Sequence, residues 1–339
     1  SGKLVEKVDN GVRKEMGQYY TPQYIVDFIV QNTINLYLGE NPDKLFSIKI
    51  IDPACGSGAF LIKAFDSVYS RYSDYNKQQE LKRKTNNLSG FIDDKSIARI
   101  NEVILHKHIH GVDLDSEAVE LAKINLWLRT IQEEMKLNEL NKNIKQGNSL
   151  ISDKTIDPKN AFDWDKEFPF KFDIVIGNPP YGVELTEELQ KYFDNKYDVG
   201  STDTAVLFIQ QAYSLLKPNG RLGFIVPKAF CFASNWKKIR DLLWKDIEII
   251  IDCGKAWKEV KLEQIVFIVK KDSNSDSYES SKFIENKLGE FNTINKQDSA
   301  SFGFLLNGVS EKELGLAQKI KENCIMLNSI STNQRGAIL

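Results

Sequence analysis

SIKIIDPACGSGAF, residues 47–60, runs from β-branched residues into an acid, a proline and two glycines, and then into Ala59 and Phe60. Isoleucines at 48, 50 and 51 suit a buried strand. Gly56 and Gly58 let the backbone come close to a ligand at the mouth of the next helix, where amides and the helix dipole face it. From Ala59 on, Phe60, Leu61, Ala64, Phe65 and Val68 recur at helical spacing. Strand, glycine turn and helix make the first unit of a doubly wound α/β sheet.

The turn excludes two cofactor classes. A P-loop needs Gly-Lys-Ser/Thr, and a dinucleotide fingerprint needs a third glycine after Gly56 and Gly58; neither is present. The acid lies at the strand end, at Asp52, where it can accept hydrogen bonds from a ligand ammonium. A zwitterionic amino-acid moiety suits it better than a pyrophosphate.

The alternation continues outward. Upstream, residues 23–38 place Ile25, Phe28, Ile29, Thr33 and Leu36 on one helical face ending near Gly39, with Thr21 as N-cap and Pro22 in the first turn. Downstream, HKHIHGVDLD (106–115) predicts a second strand, followed by a helix through Ala118, Leu121, Ala122, Ile124 and Leu126. NIKQGNSLI (143–151) and FDIVIG (172–177) predict two more strands. A helix over 204–216 closes on the turn Lys217-Pro218-Asn219-Gly220. Then come RLGFIVP (221–227), a helix over 236–244, and the β segments IEIIIDC and EQIVFIVKK. Residues 71–100 read as a polar helical excursion, Asp163-Trp164-Asp165 as loop, and the Ser/Asn-rich stretch after Lys271 as a linker. The expected division is a helical segment over 1–45, a mostly parallel seven-stranded sheet domain over 46–271, and 272–339 as linker and start of a cut-off recognition region. Helical KELGLAQKI near 311 and the apolar ending QRGAIL carry that last expectation.

Three strand ends carry polar groups in a telling order. After Asp52 and its glycine turn comes GVDLD (111–115), where Asp113 can accept two ribose hydroxyls and Leu114 can cover a purine face. GNSL (147–150) then offers Asn148 to a base edge. Amino acid, ribose and adenine in that order describe S-adenosyl-L-methionine.

FDIVIG runs into Asn178, Pro179, Pro180 and Tyr181. An adenine amine is a poor nucleophile because its lone pair is delocalised, so a methylating enzyme must localise that pair with two acceptors. The Asn178 side-chain carbonyl and the Pro179 backbone carbonyl supply them, in a turn whose φ angles the prolines fix. Tyr181 can stack on a base swung out of a duplex. Attack on a sulfonium needs no strong base beforehand, since the proton can leave after transfer.

Together, GQYYTP (17–22), DPACGSGAF, GVDLD, GNSL and NPPY resemble the ordered motifs of gamma-class adenine-N6 DNA methyltransferases, most closely the methylase parts of fused type IIG restriction-modification enzymes. The likeness covers residues 16–271. It implies a Rossmann-like, class I S-adenosylmethionine-dependent fold, with S-adenosylhomocysteine as product. It also implies cofactor contacts from Tyr20, Thr21, Asp52, Ala54, Gly56, Gly58, Asp113, Leu114, Asn148, Ser149, Asn178, Pro180 and Phe208. Catalysis falls to Asn178, Pro179 and Tyr181, with Trp257 as the second ring around the flipped adenine. Asn148 and Trp257 depart from the commoner Asp and Phe. The alternatives are a type I modification subunit, or a methylase of an RNA base or protein glutamine, which share Asn-Pro-Pro-Tyr.

The chain has 339 residues, 42% hydrophobic, with 45 basic and 47 acidic side chains giving a net charge of −2. That balance does not suit an autonomous tight DNA binder, so double-stranded DNA is expected to bind weakly or not at all in this fragment; a recognition domain is expected elsewhere in the native chain, whether a nuclease accompanies it is open, and no cleavage activity is assigned to these residues. Basic groupings at Lys82-Arg83-Lys84, Lys237-Lys238 with Arg240, and Lys255, Lys258 and Lys261 read as solvated faces. No run approaches the roughly 20 apolar residues of a membrane span, and the start is too charged for a secretory signal. A cytoplasmic prokaryotic protein is expected, with Cys55, Cys231, Cys253 and Cys324 reduced. Alternating His106, His108 and His110 look like metal ligands only superficially, and no metal is expected. Cys55 reads as a small loop residue.

Overall fold

The computed structural model describes residues 20–85, 100–130, 137–201, 203–257 and 262–325. Its strands are β1 (Ile50–Asp52), β2 (Ile109–Asp113), β3 (Ile144–Gln146), β4 (Phe172–Gly177), β5 (Leu216–Pro227), β6 (Ile247–Gly254), β7 (Gln264–Lys270), β8 (Ser277–Ile284), β9 (Lys287–Leu288) and β10 (Asn292–Asn295). The longer helices are α1 (Gln23–Val30), α2 (Leu36–Glu40), α3 (Ala59–Thr85), α4 (Ser116–Trp127), α5 (Trp164–Glu167), α6 (Glu187–Lys196), α7 (Thr204–Leu215), α8 (Lys237–Leu243), α9 (Lys296–Phe302) and α10 (Glu311–Asn323).

Along the sheet the order is β10-β8-β6-β7-β5-β4-β1-β2-β3, with β9 pairing β8. The stretch from β3 to β6 is the expected seven-stranded unit, parallel except for β7, which opposes both β5 and β6. Strand order reverses at β1, with β2 on one side and β4 on the other. Crossovers diverge there, leaving a crevice beyond the carboxyl ends of β1 and β4 where open α/β sheets bind ligands. All six residues of β4 are buried. Val175 joins the apolar cluster holding Leu207, Phe224, Phe230 and Phe267, while Ile174 and Ile176 join the one holding Ile25, Ile29 and Leu61. That alternation buries both faces of the sheet. Asp173, buried within β4, accepts from the Tyr37 hydroxyl at 2.7 Å, the Lys49 amide at 2.8 Å and Lys217 at 2.7 Å, so its charge is satisfied at the end opposite the crevice.

Several expectations are corrected. The upstream helix forms as α1, a π turn over Gln31–Asn35, and α2. A π turn adds a residue and so rotates the succeeding residues by roughly 100° about the helix axis. Leu36 is therefore 41% exposed, while Tyr37 and Leu38 are buried. Pro22, not Thr21, is the N-cap, and its carbonyl accepts the Ile25 and Val26 amides at 3.0 and 3.2 Å. A second π turn over Ile104–His108 precedes β2, so the three histidines do not share a strand face. The His108 ring bonds the Ile48 carbonyl at 2.8 Å and the Tyr72 hydroxyl at 2.9 Å, and His110 sits edge-on among Phe168, Phe170 and Phe172. Among the described residues no group of metal ligands exists.

In α4, Leu121 and Ile124 face outward, whereas Val119, Ala122 and Leu126 are buried. Asp163 caps the short α5, and the indole of Trp164 donates to the Ser149 carbonyl at 2.9 Å, so this stretch is not loop. The turn over 217–220 is absorbed into β5 as an irregularity against β4, with Asn219 at φ +61°. The supposed linker after Lys271 extends the sheet instead: β8 runs parallel to β6, β10 pairs β8, and Tyr278 and Ile294 are buried. Alternating apolar residues there are sparse, because β8 lies near an edge and draws its burial from α9 and the loop after it.

Among the described residues no helix is long and apolar enough to cross a membrane. Residues 17–19 of the Thr-Pro segment, the stretch 86–99, Lys258, Lys261 and the ending 326–339 lie outside the described residues.

Candidate active site

The residues picked from sequence at β1, β2, β3 and β4 come together along one edge of the sheet, at the carboxyl ends of parallel neighbours. Asp52, 1% exposed, ends β1 and accepts the Ala54 amide at 3.0 Å. The loop is tied to β2 by the Cys55 amide on the Val112 carbonyl at 3.0 Å. It turns through Gly56 at φ +50° and Gly58 at φ +90° into α3. A side chain on Gly56 would meet nothing within 4 Å, so the loop faces open space.

Asp113 ends β2 and is held by the protein on both oxygens: the Gly56 amide donates at 2.7 Å and the Asp115 amide at 2.9 Å. Asp115, rather than Asp113, caps α4 by accepting the Glu117 amide at 2.9 Å. Burial and mutual repulsion push the Asp52 carboxyl well above its ordinary value, and burial raises Asp113 as well. Neither forms a salt bridge among the described residues. Leu114, next to them, is 52% exposed.

At the exit of β3 two neighbours differ in role. Asn148 is half-buried, its carbonyl oxygen accepting the Leu150 amide at 3.1 Å and its amide group donating to Asp157 at 3.3 Å. Ser149 is buried and donates its hydroxyl to the Pro53 carbonyl at 2.6 Å, so its side chain braces the glycine loop.

The exit of β4 lies against β1. Gly177 has φ +156°, and a Cβ there would stand 2.6 Å from Asp52 Oδ1, so only glycine lets the Asn-Pro-Pro-Tyr turn begin this close to the carboxylate. Asn178 is half-buried, and Pro179 and Tyr181 are buried. Sequence reasoning missed Thr204, the first residue of α7, whose hydroxyl donates to the Pro180 carbonyl at 2.8 Å and pins the double-proline turn to the helix. The signal was there in Asp203-Thr204, a capping pair: Asp203 accepts the Ala205 amide at 3.0 Å. Phe208, one turn on, is buried in the cluster that also holds Tyr181 and Leu150.

A cavity of about 520 Å³ opens beside the turn, lined by Tyr181, Asp203, Pro227, Lys228, Phe232 and Leu262 among others. Phe232 is 59% exposed and is the second aromatic ring in its wall among the described residues. Trp257 does not line it: the indole is 8% exposed, belongs to the cluster on the other face of the sheet, and donates to the Tyr20 carbonyl at 2.8 Å. It thus fastens the segment with Tyr20 and Thr21 to the same sheet edge. Lys228, at the cavity rim, is held by Asp252 at 2.7 Å and Glu263 at 2.9 Å.

A doubly wound sheet with a reversed seventh strand, a glycine loop after β1 and acids ending β1 and β2 defines the class I S-adenosylmethionine-dependent methyltransferase fold. Residues 107–257 match the Eco57I restriction-modification methylase family, and residues 46–154 match the RMKL-like methyltransferase domain. In these matches the chain is similar to the methyltransferases of restriction-modification systems. It is 33% identical over 246 residues to the type II restriction enzyme and methyltransferase RM.Eco57I of Escherichia coli, covering 66% of this chain and 24% of that protein. To the type I restriction enzyme EcoEI methylase subunit of Escherichia coli it is 27% identical over 234 residues, covering 69% and 37%. The solved DrdV–DNA complex shares the fold, with a TM-score of 0.59 at 17% identity over 88% of this chain and 32% of that one. The chain thus spans less than two fifths of these relatives' length.

Proposed function

We propose that this chain is the methylase portion of a fused type IIG restriction-modification enzyme, transferring a methyl group from S-adenosyl-L-methionine to the N6 amine of an adenine flipped out of DNA. The observation that carries the proposal is the contact between Gly177 and Asp52: it sets the Asn-Pro-Pro-Tyr turn directly beside a buried acid to which no cation is paired among the described residues. The site fits the cofactor. Asp52 suits an ammonium, the glycine loop faces open space, Asp113 keeps lone pairs for ribose hydroxyls, and exposed Leu114 suits a purine face.

When bound, the cofactor supplies an electrophilic methyl on a sulfonium that departs as a neutral thioether. The Asn178 side-chain carbonyl and the Pro179 carbonyl accept the two N–H bonds of the adenine amine, drawing its lone pair toward the methyl carbon. With the cofactor held there, the amine nitrogen would bond the methyl carbon as the sulfur leaves with the C–S electron pair, and the amine proton would pass to water. Thr204 holds the turn still, so the acceptors need little reorganisation. The base occupies the cavity between Tyr181 and Phe232, which replaces Trp257 as the second ring. The identity to RM.Eco57I favours the fused enzyme over a type I subunit. DNA binding then depends on a recognition domain elsewhere in the native chain, and the enzyme works in the cytoplasm of a prokaryotic cell.

The test is transfer of labelled methyl to DNA by the full-length protein, with nucleoside mass spectrometry of the product. N6-methyladenine is expected; label on cytosine, RNA or protein instead would overturn the assignment. For the chain alone, calorimetry should show S-adenosylhomocysteine binding without specific binding of a duplex. Gly177→Ala should weaken that binding at least about tenfold, since the new methyl group collides with Asp52 in a strained backbone region. An unchanged affinity would mean that the strand end and the acid act independently.

A further inference from the structure

Asn148 stands where a charged acceptor would hold the cofactor's adenine, yet an amide can present either a donor or an acceptor. The structure fixes which. Its amide nitrogen donates to Asp157 Oδ2 at 3.3 Å, and its carbonyl oxygen accepts the Leu150 amide at 3.1 Å. A carboxylate at neutral pH only accepts and a backbone N–H only donates, so both ends of the amide have one chemically allowed orientation. The carbonyl keeps a second lone pair.

Asp157 is itself anchored. Its Oδ1 accepts the Asn160 backbone amide at 2.9 Å, and the turn it closes returns alongside β3, where the Asn148 backbone N–H donates to the Asn160 carbonyl at 2.6 Å. Gln146 links the same turn to the next strand end, reaching the Leu114 carbonyl and Asn160 Oδ1, each at 3.4 Å. One loop therefore braces both the polar edge at Asn148 and the exposed apolar residue at Leu114.

We propose that Asp157 is a positioning residue that turns the Asn148 carbonyl toward the exocyclic amine of the cofactor's purine, so that the site selects a 6-amino purine over a 6-oxo purine. This rests on the cofactor assignment above. An acceptor facing a 6-amino group is paired; facing a 6-oxo group it meets another acceptor and leaves both buried without a proton between them.

Calorimetry with S-adenosylhomocysteine and with its hypoxanthine counterpart tests it. The wild-type chain is expected to prefer the adenine compound by at least about tenfold. In Asp157→Asn the carbonyl at 157 keeps the Asn160 amide, so its new NH2 group faces the Asn148 amide nitrogen donor to donor and opposes the orientation that the Leu150 amide alone still holds; the preference should fall severalfold or more. The exchange variant Asn148→Asp/Asp157→Asn restores a fixed acceptor at 148 and should regain the preference. A fold defect lowers both affinities together and leaves their ratio alone, so an unchanged ratio in Asp157→Asn, or no recovery in the exchange variant, would overturn the role of Asp157. Wild-type protein that binds neither compound would instead sink the cofactor assignment itself.

Discussion

Asn178→Ala in the full-length protein is expected to lower the rate of methyl transfer by about 10²–10³, the usual cost of removing one preorganised acceptor or donor aimed at the reacting atoms. The loss should appear mainly in kcat, because the interaction strengthens as the amine gains positive charge and is weak in the ground state. The turn itself should survive. Pro179 and Pro180 fix its backbone, and Thr204 holds the Pro180 carbonyl from outside, so alanine removes an acceptor without releasing the loop. The control is Thr204→Val, which loses the anchor but keeps Asn178 and should show a smaller loss. Equal activity of Asn178→Ala and wild type would remove the basis of the proposed mechanism.

Two buried histidines should weaken the fold in mild acid. Burial holds His108 down at about 4 and His110 at about 3, and both are buried in the native chain. Unfolded, each titrates near 6.5, so between that value and the lowered ones the unfolded state binds more protons. Their contribution is therefore complete above about 6.5 and is lost as pH falls toward 4, at up to roughly 1.4 kcal/mol per pH unit for each histidine. Asp52 and Asp113 work the other way. Their carboxyls are raised, so the folded state holds its proton more tightly, and this stabilisation is present at low pH and lost as pH rises through the raised values. The histidine contribution alone amounts to on the order of 3–5 kcal/mol by pH 4.5, and the two raised carboxyls offset part of it. Urea unfolding at pH 7 and pH 4.5 measures it. His110→Gln, neutral throughout, should be less stable at pH 7 yet show a slope shallower by about one proton; an equal slope would acquit His110.

Much of the site was legible because its chemistry is local. A glycine turn must hold glycines, and an acid meant for a ligand at a strand end must come directly after that strand, so DPACGSGAF and GVDLD announce themselves within a few residues. The strand FDIVIG was found to the residue because burial on both faces demands an unbroken apolar run. What went astray depended on neighbours. Leu36 kept a perfect helical period, but the π turn before it, packed against β5, rotated it into solvent. Ser149 reads as a ligand for adenine, and nothing in GNSL tells that its hydroxyl reaches the Pro53 carbonyl at 2.6 Å. Trp257 sits at the right distance along the chain, and its side chain turns to the opposite face of the sheet.

The sequence by itself determined the class of sheet, the order of the polar groups at its strand ends, and the rigid Asn178-Pro179-Pro180-Tyr181 turn on which the proposed chemistry rests, because these follow from strand period, backbone freedom and side-chain type. Only the tertiary structure decided which groups meet: Asp52 against Gly177, Thr204 on Pro180, Asp157 on Asn148, and Phe232, not Trp257, in the wall of one cavity with Tyr181. Each of these joins residues from different strands or loops, and their distances are set by how the sheet twists and its connections pack, which no local pattern encodes.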